Sequence, residues 1–124
     1  MTKKAVLDTN FIISCLENKI DFFEELKLKG YKILIPIQVI HELEKFSKSS
    51  KKLKEKTNAE LALKIIKLNK PEQIVLTNNY VDKGIIDFTK ANPEVHVATL
   101  DRGIKTKVRN NKIVIREKSR LEII

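Results

Sequence analysis

Asp8 closes the short apolar run Ala5-Val6-Leu7, and Asp101 closes Val97-Ala98-Thr99-Leu100. Carboxylates held side by side repel unless a proton or a cation lies between them. Two of them at the ends of β-runs therefore carry chemistry if the fold brings those ends together. Each alone is better explained by helix capping: Asp8, Thr9 and Asn10 are good N-cap residues, and Asp101 precedes a helical segment. Two further acids could join them. Glu42 and Glu44 flank, on opposite sides, the helical stripe Val39, Ile40, Leu43 and Phe46, and wheel geometry does not choose between them. Asp82 stands three and four residues before Ile85 and Ile86, at the N-terminal end of an inward helix face, whereas Asp87 lies mid-helix. Asn79 with Asp82 also resembles a capping box, and an acid there suits the helix dipole. Three or four carboxylates with no cysteine and no histidine pair among them select a hard cation, Mg²⁺ or Mn²⁺, that keeps several waters. Such an ion can activate water and hold phosphate oxygens in an in-line displacement.

The elements that must position these groups read as alternating strands and helices. Lys4 to Leu7 is a β-run, Asn10 to Glu17 has helical spacing, and Asp21 can cap a second helix ending before Gly30. Lys32 to Ile35 is the second strand, and Pro36 opens a helix through Phe46. The serine- and lysine-rich stretch after it reads as a loop, with Thr57 and Glu60 forming a capping box for the next helix. Ile74 to Leu76, Val95 to Thr99 and Lys112 to Ile115 are further strands. Helices over Tyr80–Ala91, capped by Asn79, and over Arg102–Arg109 separate them, and Leu121 to Ile124 can add an edge strand. Alternation of this kind implies an α/β fold, a three-layer α/β/α sandwich around a mostly parallel twisted sheet of about five strands. In such folds the functional crevice lies beyond the carboxyl ends of the strands, where strand order reverses.

Composition sets the outer limits. With 124 residues the chain suits one domain, 1–124. Its single cysteine excludes a disulfide framework and any CxxC site, and its three glycines cannot form the usual nucleotide-binding loops. No apolar run approaches a membrane span and the opening MTKKAVLDTN has no signal-peptide core, so the expected setting is cytoplasmic, with no membrane partner. The 25 Lys and Arg against 16 Asp and Glu give a net charge of +9, which favours a polyanionic partner. Between Arg102 and Arg120 lie eight cations and one anion; between Lys45 and Lys56, six and one.

Taken with their order and separation, Val6-Leu7-Asp8-Thr9-Asn10-Phe11, the stretch from Pro36 through Glu42-Leu43-Glu44-Lys45, and Val97-Ala98-Thr99-Leu100-Asp101 resemble the PIN-domain ribonucleases. The resemblance covers nearly the whole chain. It implies an acidic quartet that binds Mg²⁺ or Mn²⁺ and cuts single-stranded RNA. Carried over by position, the quartet is Asp8, Glu42, Asp82 and Asp101, acting as both metal ligands and catalytic groups. The resemblance thereby selects Glu42 over Glu44. Thr9, Asn10 and Thr99 become supporting groups that orient ligands or waters. Many members have paired aspartates at the third position, where this chain has Asp82-Lys83. Lys45, Arg102, Lys105, Lys107 and Arg109 are the candidate RNA contacts. Two branches of the family compete. The run from Asp101 through Arg116 looks more like the branch related to ribosomal-RNA processing, whose partners would be ribosome-assembly factors. The other branch comprises toxins paired with an antitoxin. A homodimer is plausible by resemblance, and a catalytically weak RNA- or ribosome-binding module is the non-enzymatic alternative. His41 and His96 fall on different elements and Cys15 on an apolar helix face, so ordinary surface or core roles account for them.

Overall fold

The computed structural model describes residues 2–124. In chain order its elements are β1 (Lys3–Leu7), α1 (Thr9–Glu17), α2 (Phe22–Leu28), β2 (Tyr31–Pro36), α3 (Ile37–Ser49), α4 (Leu53–Asn69), β3 (Glu72–Ile74), α5 (Val81–Ala91), β4 (His96–Ala98), α6 (Arg102–Lys107), β5 (Lys112–Arg116) and β6 (Arg120–Ile123). Ala5, Val6 and Leu7 have no solvent exposure, as a strand covered on both faces requires. They place β1 inside a six-stranded sheet of order β3-β2-β1-β4-β5-β6. Every pairing is parallel except β5 with β6. Those two are joined by a tight turn in which Glu117 and Lys118 both have positive φ and Ser119 N donates to Arg116 O. This primed geometry matches the strand twist of a hairpin.

Helices α1 to α4 pack together on one side of the sheet, and α5 and α6 pack together on the other. Phe11, Ile12, Phe22, Leu26 and Leu43 fill the first interface, while Ile85 and Ile104 fill the second. Behind the second layer, the buried Asn110 amide donates to Thr89, Asn92 and Val95 carbonyls, tying the end of α5 to the approach to β4. Among the described residues, no helix is long and apolar enough to cross a membrane.

Several local expectations shift. The Ser/Lys stretch is largely helix, not loop: α3 runs on to Ser49, with Ser47 and Ser49 hydroxyls donating to Glu44 and Lys45 carbonyls. Helix α4 then starts at Leu53, ahead of Thr57, so Thr57 and Glu60 are interior positions and no capping box forms there. Strand β3 lies two residues earlier than Ile74–Leu76. Leu76 is held instead by Gln38, whose amide accepts from its N–H and donates to its carbonyl. At α5 the cap is Tyr80 rather than Asn79, and Asn78 Oδ1 accepts from Tyr80 N. Gly84 lies so close to Leu76 that a Cβ there would stand 2.9 Å from the Leu76 Cβ. The first turn of α5, which carries Asp82, is thereby drawn in against the end of the sheet.

Candidate active site

Strand order reverses between β1 and β4: from β1 the chain proceeds to β2 on one side, and from β4 to β5 on the other. The crevice beyond their carboxyl ends is therefore where a ligand is expected. Asp8 enters it directly after β1. As N-cap of α1 its backbone is extended, and its Oδ1 accepts from Thr9 N at 2.8 Å. Its Oδ2 accepts from the Thr99 hydroxyl at 2.9 Å, across 91 residues of sequence. Thr99 Oγ1 in turn accepts from Asp101 N at 3.0 Å, and Asp101 Oδ1 caps α6 by accepting from Ile104 N. On the other flank, the Thr9 hydroxyl donates to Glu42 Oε1 at 2.6 Å. Two threonines thus link acids from β1, α3 and the end of β4 into one hydrogen-bonded chain. Capping and clustering, alternatives for Asp8 and Asp101 in the sequence, are both realised.

The fourth acid joins by charge. Asp82 lies in the first turn of α5. Partial burial, followed by the charges of Asp101 and Glu42, holds its carboxyl above the ordinary range. Asp8 is only 3% exposed, and burial pushes its pKa up to about 6. The bonds from Thr99 and Thr9 oppose that rise, and the charges of Asp82 and Glu42 add to it. Glu44 and Asp87 are both exposed, and neither features among the groups acting on Asp8 or Asp82. Lys83 directs its ammonium over the Tyr80 ring, 5.9 Å from the centroid.

Among the described residues, no cation pairs with this set. The ion pairs among the described residues are Lys32–Glu72, Arg116–Glu122 and Arg120–Glu117. No three His, Cys, Asp or Glu among the described residues stand close enough to enclose a metal ion as they are. The four acids are electrostatic neighbours rather than a closed ligand shell. An all-oxygen, uncompensated donor set of this kind fits a hard divalent ion that retains waters between itself and some of its ligands.

Of the supporting residues, Thr9 and Thr99 are buried in the network, while Asn10 is exposed on α1 and takes no part. Lys45, Arg102, Lys107 and Arg109 are exposed and Lys105 is half-buried. His41 faces solvent. His96 opens β4, paired with Ala5 and stacked edge-on against Tyr31 with ring centroids 4.9 Å apart. That is the end of the strand away from Asp8, and burial, then the charge of Lys3, lowers its pKa. Neither histidine enters the crevice. The sequence did not reveal the tie between Thr99 and Asp8, because only strand pairing brings the two together.

Thr99→Val keeps the shape but removes one donor and one acceptor from this network. It is expected to lower the unfolding free energy by about 1–3 kcal/mol, since Asp8 Oδ2 and Asp101 N are left unpaired. Urea denaturation measures it, and an unchanged midpoint would show that Thr99 supports nothing.

A family model described as a PIN like domain matches residues 5–120. The chain belongs to the PIN-like domain family. Among its relatives, Ribonuclease VapC4 of Methanocaldococcus jannaschii is 35% identical over 97% of this chain and 95% of its own. The rRNA-processing protein fcf1 of Schizosaccharomyces pombe is 33% identical over 85% of this chain, which spans 53% of that protein. Among solved structures, the PIN domain endonuclease Utp24 superposes with a TM-score of 0.79 at 26% identity, covering 97% of this chain and 90% of that one. Another solved structure, that of VapBC2 from Rickettsia felis bound to a DNA fragment from their promoter, has a TM-score of 0.61 at 19% identity over 91% of this chain and 99% of that one, and bears on the fold alone.

Proposed function

We propose that this PIN-like chain is an endoribonuclease that hydrolyses single-stranded RNA with a bound Mg²⁺ or Mn²⁺. The observation that carries the proposal is the convergence of Asp8, Glu42, Asp82 and Asp101 on the strand-order reversal, with no cation among the described residues paired to them. Asp8, held by Thr9 and Thr99, and Asp101, which caps α6 through Oδ1, offer oxygens to the ion. Glu42 and Asp82 complete the set from the two flanks. When bound, the ion supplies polarisation of the phosphate and of the attacking water. The threonine hydroxyls keep the carboxylates aimed before substrate arrives, so little reorganisation is needed at the moment of reaction. Cations outside the crevice attract the RNA backbone that the acids would otherwise repel.

The likeness to fcf1 supports a role in ribosomal-RNA processing, with ribosome-assembly factors as the partners such a role implies, and the likeness to Utp24 supports endonucleolytic cutting. The likeness to VapC4 over nearly the full length of both chains supports the second reading, a toxin held by an antitoxin.

The purified chain is expected to cut single-stranded RNA in Mg²⁺ or Mn²⁺, to stop in excess EDTA and to resume when Mn²⁺ is restored. Mn²⁺ is also expected to raise the unfolding temperature, because an ion bound only by the native state stabilises it. Cleavage that persists in EDTA would overturn the metal requirement. Salt-sensitive RNA binding without cleavage would make the chain a binding module instead.

A further inference from the structure

Beside the acids the surface opens into a cavity of about 450 Å³ between the end of α3 and the start of α4. Glu42 forms one wall, and the rest is Lys45, Phe46, Ser49, Ser50, Lys51, Lys52 and Glu55. Three lysines therefore line a space that shares a wall with the acidic crevice. None of the three pairs with an acid among the described residues. The serines do not compete with them as donors. Ser49 directs its hydroxyl proton to the Lys45 carbonyl, and Ser50 directs its own to Glu55 Oε1. That second bond keeps Glu55 turned toward Ser50. Lys52 caps α4 without a side-chain hydrogen bond to the helix, so the positive end of a 17-residue helix faces the same region. Phe46 lies half-buried against the core and gives the cavity its apolar floor.

Resting on the nuclease reading, we infer that this cavity is a subsite for backbone phosphates of the RNA strand, immediately beside the bond that is cut, with Lys45, Lys51 and Lys52 as its cationic contacts. The position answers an electrostatic difficulty. Four uncompensated acids repel a polyanion, and a strand reaches them only if neighbouring phosphates are drawn in by cations close by. The lysines are exposed and carry long flexible stems, so they act as point charges and read no base identity. Continuation of α3 to Ser49 is what makes the site: as a floppy loop the same residues would have no fixed relation to Glu42.

The test is the salt dependence of binding, measured by fluorescence anisotropy with a labelled oligouridine in an Asp8→Asn background that cannot cut it. Each phosphate contact to a single strand contributes about 0.7 to the slope of log K against log salt. Lys51→Ala/Lys52→Ala is expected to flatten that slope by roughly 0.7–1.4 and to weaken binding about fourfold per lost contact at 0.15 M salt. Lys51→Arg/Lys52→Arg is expected to restore it. Lys27→Ala/Lys29→Ala, which removes the same charge near the C-terminus of α2, is expected to leave the slope as it was. A slope unchanged by the first pair, or changed equally by both alanine pairs, overturns the subsite. The parent protein's cleavage in Mn²⁺ is scored separately. Cleavage with an unchanged slope would defeat the subsite alone, whereas a parent that neither cuts nor binds RNA would defeat both readings.

Discussion

Asp8→Asn is expected to reduce RNA cleavage by on the order of 10³-fold, the scale on which loss of a single preorganised charge at a reacting phosphate or acyl group is felt. The same substitution is expected to make the protein more stable. The buried Asp8 carboxyl has a folded pKa of about 6 against an ordinary value of 3.8. Folding therefore favours its protonated form. Below about pH 4 the acid is protonated in both states and imposes no electrostatic penalty. As pH rises from about 4 to about 6 the unfolded chain releases its proton first and stability falls, by about 3 kcal/mol in all. Above pH 6 the penalty is constant. The amide that replaces the carboxyl has no charge to bury, yet its oxygen can accept from Thr9 N and its nitrogen can donate to Thr99 Oγ1. In EDTA the variant should thus exceed the parent in stability by up to about 3 kcal/mol at pH 7, with the two converging at pH 4. Urea denaturation across that range measures it. Full activity in the variant, or a stability difference that is the same at both pH values, would contradict the assignment.

Asp82→Asn is the second large effect, expected at roughly 10²-fold in cleavage. Asp87→Asn, further along α5, is expected to stay within about twofold of the parent, as a surface change away from the acids should. The contrast is sharp because both residues are exposed aspartates on one helix. What separates them is that Asp82 is felt by Asp8 and itself feels Asp101 and Glu42. The close approach of Gly84 to Leu76 leaves no room for a side chain on the turn of α5 that follows Asp82. Initial rates at saturating Mn²⁺ for the two variants measure it, and equal losses would remove Asp82 from the site. Lys83 cannot substitute for a lost acid there, since it lies over Tyr80 and carries the wrong sign.

The strand-helix alternation and the central strands were legible because Ala5-Val6-Leu7 and Val97-Ala98 are buried on both faces, which leaves an uninterrupted apolar run. Asp8 and Asp101 were legible because an acid that follows such a run directly has only the crevice or a helix cap to occupy. A carboxylate has two oxygens, so capping and closeness to other acids are compatible: one Asp101 oxygen caps α6, and Asp82 feels the charge of Asp101. Glu42 was not separable from Glu44 by periodicity, because a helical wheel shows which residues flank a stripe but not which flank meets another element. In the fold the Thr9 hydroxyl donates to Glu42, while Glu44 is exposed. The Ser/Lys stretch departs from its loop-like composition for a related reason. Serine is a poor helix former on average, but here Ser47 and Ser49 bond back to carbonyls of their own helix while packing against α4 holds α3 in place. The displaced β3 reflects the clasp of Gln38 on Leu76, a contact between residues 38 positions apart that no local pattern encodes.

The pairing of β1 with β4 also determines when this protein can begin to act. Asp8 is made 91 residues before Thr99, whose hydroxyl holds it. During synthesis the growing chain passes through every length at which β1, β2 and the helices between them exist while the partner strand does not. A nascent or truncated chain therefore has Asp8 without Thr99 or Asp101, and no assembled crevice. Under the proposed function, the crevice is complete only once β4 docks, so a chain interrupted before Thr99 is expected to be inert toward RNA.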